Sequence, residues 1–169
     1  MTEKDAQADI ALDDSEIPRS FLLVVDASEE MGAALRFACR RASHTNGNVA
    51  LFHAVAPADF HHFASIGELM DSEARSEAEK LLQRAAADVQ RLTDQMPGLY
   101  LREGDSTEQL LKVIDEEQVI SVLVLGAGTS EEGPGPLVSA LSGRLAGKIR
   151  LPVIIVPGSL TAEEIDTLT

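Results

Sequence analysis

Two apolar runs near the C-terminus, separated by a loop and a short helical stretch, constrain the fold more than any other feature. The first run, VISVLVLGAG, has the continuous apolar character of a parallel strand covered on both faces, and it ends in glycine. A loop rich in glycine and proline follows, and the second run is LPVIIVP. This order predicts a βαβ unit, in which a ligand crevice lies beyond the carboxyl ends of the strands where the strand order reverses.

The loop between these two runs also restricts the chemistry of a ligand. It carries Glu131 and Glu132, and carboxylates oppose a bound phosphate through like-charge repulsion. Within the same loop, Pro136 suits the first position of a helix, because its fixed φ matches the helical value. The architecture therefore indicates a nucleotide-binding type of fold, whereas the side chains argue against an ordinary nucleotide site.

Strands and helices alternate along the rest of the chain. FLLVVDAS, NVALFHAVAP and LYLREG predict strands, because each is rich in β-branched or aromatic residues and ends in polar residues, glycine or proline. Ser28 predicts the N-cap of the first helix, and the second helix is expected from residue 66 or 67 to residue 95. Its predicted inner side comprises Leu69, Ala74, Ala78, Leu81, Leu82, Ala85, Val89 and Leu92. Together these elements predict an α/β fold with right-handed crossovers.

The chain is long enough, at 169 residues, for one domain with a substantial core. We expect this domain at residues 20–157, preceded by a flexible acidic tail at residues 1–19. Residues 158–169 are expected to form a short acidic C-terminal tail, in which Thr161 suits the N-cap of one or two helical turns.

Charge and composition exclude several classes of partner. A net charge of −14 repels nucleic-acid phosphates and anionic lipids. No apolar run approaches the roughly 20 residues that cross a bilayer, and the N-terminus has no secretory signal pattern. The single cysteine, Cys39, excludes an intramolecular disulfide and is compatible with a reducing compartment. We therefore expect a cytoplasmic protein that binds neither nucleic acid nor membrane.

Four short motifs in the right order resemble the universal stress protein family over residues 20–157. FLLVVDASEE resembles its first strand, with Asp26 and Ser28, and NVALFHAVAP its second, with His53 and Val55. REGDSTEQLLKVIDEEQVISVLVLGAG and LPVIIVP resemble the later helix and strands. The resemblance implies a flavodoxin-like or Rossmann-like three-layer sandwich, with a five-stranded parallel sheet in the order 3-2-1-4-5 and helices on both faces.

The ATP-binding motif of that family is degraded in this chain. Members that bind ATP carry Gly-x-x-Gly, nine residues and then Gly-Ser or Gly-Thr. Aligned without gaps, these positions fall on Gly126, Thr129, Ser139 and Ala140, so only the first glycine is retained. In the motif these two positions are glycines, whose bare backbone phosphate oxygens approach closely. Thr129 and Ser139 have side chains there instead. In a shifted frame Arg144 ends the motif and would be near a phosphate, with Lys148 one helical turn further away.

The resemblance places a nucleotide or other small ligand, if one binds, at a set of strand-end and loop positions. These are Asp26, Ala27, Ser28, Val55, Gly126, Gly128, Thr129, Ser139 and Ala140. By resemblance, Asp26 accepts a hydrogen bond from adenine or ribose. The competing interpretation, which we slightly favour, is that Asp26 caps the following helix or a turn.

The remaining reactive side chains suggest neither catalysis nor a metal site. His53 is expected to be partly buried, neutral and bonded to backbone, because no nucleophile lies beside it in sequence. His61 and His62 are adjacent, so we expect their side chains to point in different directions, and no carboxylate or cysteine stands at ligand spacing. We expect these residues to form a loop at the pocket mouth. Cys39 falls on the inner side of the first helix and is expected to be a core residue with a raised pKa.

Three functions remain as hypotheses at this point. The leading one is a homodimeric stress-response module whose two copies pair through the last strand. We expect it to bind an unknown protein partner or a small ligand, to need no cofactor and not to bind ATP tightly. The alternative is a regulatory switch that binds ATP, AMP or a related adenylate, with Mg²⁺, between Asp26, Val55, Gly126 and the loop at residues 127–143. An enzyme is the weakest hypothesis, because the sequence contains no GxSxG motif and no P-loop lysine.

Overall fold

The sheet has the predicted architecture. A computed structural model of the chain describes residues 19–57 and 64–169. Its strands are β1 (Ser20–Val24), β2 (Asn48–Val55), β3 (Gly98–Glu103), β4 (Ile120–Ala127) and β5 (Val153–Pro157). They form one sheet in the order β3-β2-β1-β4-β5, and every neighbouring pair is parallel. The predicted fold class and strand order are confirmed.

Helices cover both faces of this sheet. They are α1 (Met31–His44), α2 (Ala64–Thr93), α3 (Ser106–Glu116), α4 (Pro136–Ser142) and α5 (Ala162–Leu168). α1 and α2 pack on one face, and α3 and α4 pack on the other. Within the described ranges, no helix is long and apolar enough to cross a membrane.

The two faces of the sheet each bury an apolar cluster, which explains why the central strands are apolar throughout. On β1, Phe21 and Leu23 point towards α1 and α2, whereas Leu22 points towards α3 and α4. A strand buried on both faces cannot alternate apolar with polar residues, because every side chain loses contact with water. Consistent with this, the buried positions in the described ranges are occupied by hydrophobic residues and glycine.

The start of α1 differs from the prediction. The helix begins at Met31, its N-cap is Glu30 with helical dihedral angles, and that residue makes no side-chain capping bond. Ser28 is therefore not the N-cap. Its backbone N–H donates to Asp26 Oδ1 at 2.9 Å, and its hydroxyl donates to the same oxygen. Asp26 thus closes a local turn, which confirms the interpretation of this residue as turn support.

The predicted inner side of α2 is confirmed towards its C-terminal end and is wrong at Leu69 and Ala74. Ala78, Leu82, Ala85 and Val89 are buried, but Leu69 is 61 % exposed. The reason is length. A helix of 30 residues is about 45 Å long, whereas the eight residues of β2 span only about 26 Å.

Because α2 is longer than the strands beneath it, its N-terminal half extends beyond the sheet. Ala74, also predicted to face inwards, is exposed there. The helix also starts earlier than predicted, at residue 64, and ends earlier, at residue 93. Leu81 and Leu92, nearer its C-terminal end, are partly buried against the core as expected.

Cys39 lies inside the core, as predicted. It is 1 % exposed and contributes to the cluster beneath α1 and α2. Burial raises the pKa of its thiol to about 12, and the nearby carboxylate of Asp88 acts in the same direction. The thiol is therefore neutral at physiological pH and is a packing group rather than a nucleophile.

The segment after β5 carries the helix that Thr161 predicts. The Thr161 hydroxyl accepts a bond from Glu164 N at 3.2 Å, and Glu164 Oε2 accepts one from Thr161 N at 2.8 Å. This reciprocal pair is a capping box, which satisfies two backbone donors at the start of α5. The helix packs against α1 and buries Ile165, which is 1 % exposed.

Candidate functional site

The main cleft lies at the carboxyl ends of β1 and β4, where the strand order reverses. This switch-point crevice has a volume of about 500 Å³. It is lined by the ends of β1, β2 and β4, by the start of α3 and by the loop before α4. A parallel sheet of this order places its crevice here because the helices after β1 and β4 cover opposite faces and leave a gap between them.

A second recess adjoins the first beneath the β4–α4 loop. This loop crevice has a volume of about 460 Å³. The two recesses share Ser28, Glu30, Gly135 and Pro136, so they are neighbouring parts of one cleft. One part of this cleft is therefore bounded by the strand ends and the other by the loop.

The structure brings five of the nine predicted ligand-site residues to this cleft. Asp26, Ser28 and Gly126 line the switch-point crevice. Gly128 and Thr129 line the loop crevice. These five positions come from the ends of β1 and β4, which are adjacent strands.

The other four predicted positions lie elsewhere. Ala27 is exposed but lines neither crevice. Val55 lines a separate pocket of about 80 Å³ beside α2. Ser139 is on α4, where its hydroxyl donates to the Gly135 carbonyl at 2.9 Å, and Ala140 packs against the core beneath that helix. The structure therefore does not bring this second half of the family motif to the cleft.

The sequence analysis missed Glu30, which is the central side chain of the cleft. A Cβ atom built at Gly126 would lie 3.0 Å from Glu30 Cγ, and one at Gly158 would lie 2.5 Å from Glu30 Cβ. A Cβ atom at Gly128 would lie 3.4 Å from Glu30 Oε1. Three glycines from two different chain segments thus surround this one glutamate, and a larger residue at Gly158 has no room.

The charge in the cleft is negative. Asp26, Glu30 and Asp105 line the switch-point crevice, and Glu29 and Glu132 join Glu30 around the loop crevice. None of the described residues that line the two crevices is lysine or arginine. Arg144 and Lys148, which the shifted motif placed near a phosphate, line neither crevice. The cleft therefore repels anionic groups.

His53 contributes the only imidazole among the described lining residues. Its Nδ1 lies 2.7 Å from the Val25 carbonyl oxygen. Since a carbonyl only accepts, Nδ1 carries the proton, and Nε2 of the neutral ring is an acceptor. The prediction of a partly buried histidine bonded to backbone is confirmed.

The start of α3 is a feature of the cleft that favours an anion. Ser106 and Thr107 line the crevice at the positive end of the helix dipole. The Asp105 side chain already occupies part of this end, because it accepts a hydrogen bond from Glu108 N at 2.9 Å. A carboxylate of the chain itself therefore offsets much of the attraction for a ligand anion.

Among the described residues, no group of three or more histidine, cysteine, aspartate or glutamate side chains is placed to hold a metal ion. His61 and His62, which were expected in a loop at the pocket mouth, lie outside the described residues.

Comparison with known proteins agrees with this fold. The chain is similar to the universal stress protein UspA from Lactobacillus plantarum, with a TM-score of 0.68 at 16 % identity over 82 % of this chain and 97 % of that one. It is also similar to a universal stress protein from Archaeoglobus fulgidus in complex with dAMP, with a TM-score of 0.57 at 20 % identity over 83 % and 98 % of the two chains.

A third similar structure is a universal stress protein in complex with cAMP, with a TM-score of 0.61 at 18 % identity over 85 % of this chain and 99 % of that one. No functionally curated protein sequence matches the chain significantly. The sequence profile of the universal stress protein family matches residues 18–157. The chain therefore belongs to the universal stress protein family.

Proposed function

We propose that this protein is a non-catalytic binding module of the universal stress type, which acts through a protein partner or a small ligand and does not hold nucleotide phosphates tightly. The observation that carries the proposal is the position of Glu30. Its carboxylate lies beside Gly128 and its side chain packs against Gly126. These are the strand-end glycines at which a phosphate would need to approach the backbone.

Electrostatic magnitudes support this proposal. Two unit charges about 4 Å apart repel each other by about 4 kcal/mol at the effective dielectric constant of a protein surface. Glu30, Glu29 and Glu132 all line the loop crevice, and salt screens such short distances only partly. A ligand that is neutral or cationic where it meets these residues avoids the repulsion.

The hydroxyl group of Ser28 also supports a non-catalytic role. It lines the cleft and donates its hydrogen to Asp26. It does not donate to an imidazole, which is the contact that activates a serine nucleophile. The proton on His53 Nδ1 is directed to backbone rather than to a reacting group.

The second candidate function is an adenine-nucleotide switch that binds ATP or AMP with Mg²⁺. Two observations favour it: the start of α3 lines the crevice with Ser106 and Thr107, and structurally similar proteins hold dAMP and cAMP. In this alternative the base and ribose contact Asp26, and the phosphate lies between Gly126 and α3.

A thermal-shift titration with ATP, ADP and AMP, each with and without Mg²⁺, separates the two candidates. The binding-module proposal predicts no saturable rise in melting temperature at millimolar nucleotide. A ligand at 100 times its dissociation constant that binds only the folded state adds about 2.7 kcal/mol, which such a titration detects. Adenosine is the control, since it lacks the phosphate. A saturable shift with AMP would overturn the proposal and support the switch.

We also propose that two copies pair through β5. This strand is at one edge of the sheet, and none of the other described strands pairs with its outer side. Ile155 on this strand is 39 % exposed. An apolar edge with free backbone donors and acceptors pairs readily with another strand.

Replacing Ile155 with lysine is expected to convert the dimer into a monomer, because a charged side chain on an edge strand opposes strand pairing. Light scattering coupled to size-exclusion chromatography measures the change in mass. Leu99→Lys on β3, at the opposite edge and also exposed, is the matched control and should leave the mass unchanged. If Leu99→Lys dissociates the dimer and Ile155→Lys does not, β5 is not the interface.

We further propose a cytoplasmic location. The buried single cysteine and the strongly acidic composition support it. Fractionation of cells that express the tagged chain tests this proposal, and recovery with the membrane or the medium would contradict it.

A further inference from the structure

We infer that α5 regulates the cleft by holding Glu30 in place, and that Asp166 is the positioning residue that keeps α5 docked. This inference rests on the proposed function, because it explains how the phosphate-excluding carboxylate keeps its position. The helix lies outside the residues that match the family profile, which end at residue 157.

An ion-pair cluster fastens α5 to α1. Arg36 donates to both carboxylate oxygens of Asp166, at 2.9 Å from Nε and 2.6 Å from Nη2. Arg40 Nε lies 3.1 Å from Asp166 Oδ1, although its N–H is not oriented to form a hydrogen bond. The bond from Arg36 holds the pKa of Asp166 below its usual range, and the charges of Arg36, Arg40 and His44 act in the same direction.

The fork of two hydrogen bonds gives this pair a defined geometry. An ordinary surface ion pair contributes little, whereas a bidentate guanidinium–carboxylate pair fixes orientation as well as distance. Ile165, the neighbour of Asp166, is buried in the same contact. Arg41 adds a bond from Nη1 to the Thr169 carbonyl at 3.1 Å. The C-terminal half of the helix is therefore held against α1.

The connection from α5 to the cleft runs through Gly158. Its backbone N–H donates to the Ala127 carbonyl at 2.9 Å, and it packs against Glu30 so closely that an added Cβ would lie 2.9 Å from Glu30 Cα. Leu160 then packs against the core cluster beneath α1. The turn between β5 and α5 is thus packed against Glu30, which lines the cleft.

Glu30 is consequently held from two directions. It is the N-cap of α1, the same helix that carries Arg36 and Arg40, and its backbone is in contact with the turn that leads into α5. If α5 leaves α1, the turn at Gly158 loses its anchor on the C-terminal side, and Glu30 becomes free to move out of the space beside Gly126 and Gly128. A partner that takes up α5 would in this way open the cleft.

Hydrogen–deuterium exchange on the ligand-free protein tests the inference. In Asp166→Asn, the amide of Ile165, which bonds to the Thr161 carbonyl at 3.0 Å, is expected to exchange about three- to tenfold faster. The amides of Gly158 and Ala34, which bond to Ala127 and Glu30, are expected to exchange at least about twofold faster, because local opening there depends on α5.

Matched variants separate this effect from a general loss of stability. Glu163→Gln removes a charge from the exposed side of the same helix and should leave all three amides unchanged. Asp166→Glu keeps the charge and should restore most of the protection. The amide of Val25, bonded to Phe52 O at 2.8 Å, reports the core and should stay constant. Arg36→Gln should reproduce the Asp166→Asn pattern.

Two results would overturn the inference. Faster exchange at Ile165 with unchanged Gly158 and Ala34 would show that α5 docks without affecting the cleft. Unchanged exchange at all of these amides in both Asp166→Asn and Arg36→Gln would show that the ion pair does not hold the helix. Both results are obtained without nucleotide, so they test the role of α5 alone. The proposed function is tested separately, by the nucleotide titration, and AMP binding by the unmodified protein would contradict it.

Discussion

Replacing Phe52 with alanine is expected to lower the free energy of unfolding by about 3 to 5 kcal/mol. The side chain is 0 % exposed and lies in the cluster between the sheet, α3 and α4. Removing it leaves a cavity that neighbours on β1 and α3 cannot fill, because both elements are fixed by the sheet and its crossovers. The loss is a large share of the total stability of an ordinary domain.

Equilibrium unfolding in urea, followed by circular dichroism, measures this change. Leu99→Ala is the matched control, since Leu99 is on the adjacent strand β3 but is 49 % exposed. It should cost less than about 1 kcal/mol, because a side chain half in water loses little on truncation. Equal losses for the two variants would contradict the position of Phe52 in the core.

Replacing Glu30 with glutamine is expected to raise the affinity for AMP by at least about tenfold at low ionic strength. The substitution keeps the shape of the side chain, so the packing against Gly126 and Gly158 is retained. It removes the negative charge that lies beside the strand-end glycines. Glu30 makes no capping bond, and losing a carboxylate near a helix start costs only about 0.3 to 1 kcal/mol.

Calorimetric titration of AMP and adenosine into both proteins checks this expectation. Adenosine affinity should stay the same, because the charge acts on the phosphate alone. Glu131→Gln is the matched control: it removes a charge from the exposed loop at a position that lines neither crevice. If Glu30→Gln does not strengthen AMP binding, or if Glu131→Gln strengthens it equally, repulsion by Glu30 is not what excludes the phosphate.

Local pattern was enough to predict the layered fold. The apolar run of β4 was recognisable because a strand covered on both faces must be apolar throughout, and residues 120–127 lie at the centre of the sheet. The start of α5 was equally recognisable, since Thr161 and Glu164 stand at the spacing of a capping box. Both features depend on residues close together in sequence.

Predictions that depend on contacts between residues distant in sequence are less accurate. Leu69 has helical spacing like Leu82, yet only Leu82 reaches the core, because α2 extends beyond the sheet. Ser28 has the composition of an N-cap, but Asp26 binds it in a turn instead. In each case the local preference was real, and the surroundings decided which of two locally acceptable arrangements the chain adopts.

The order of strands and helices along the chain, the βαβ position of the cleft and the loss of the later glycines from the ATP motif follow from the sequence alone, because each of these is encoded in a short stretch of residues. The position of Glu30 against three glycines of the cleft depends on the tertiary structure instead. That outcome requires Gly126, Gly128 and Gly158 to converge on one side chain, and these glycines meet it only after β4 and β5 have paired and α1 has packed on the sheet. Contacts between segments so far apart in sequence leave no periodic signal along the chain.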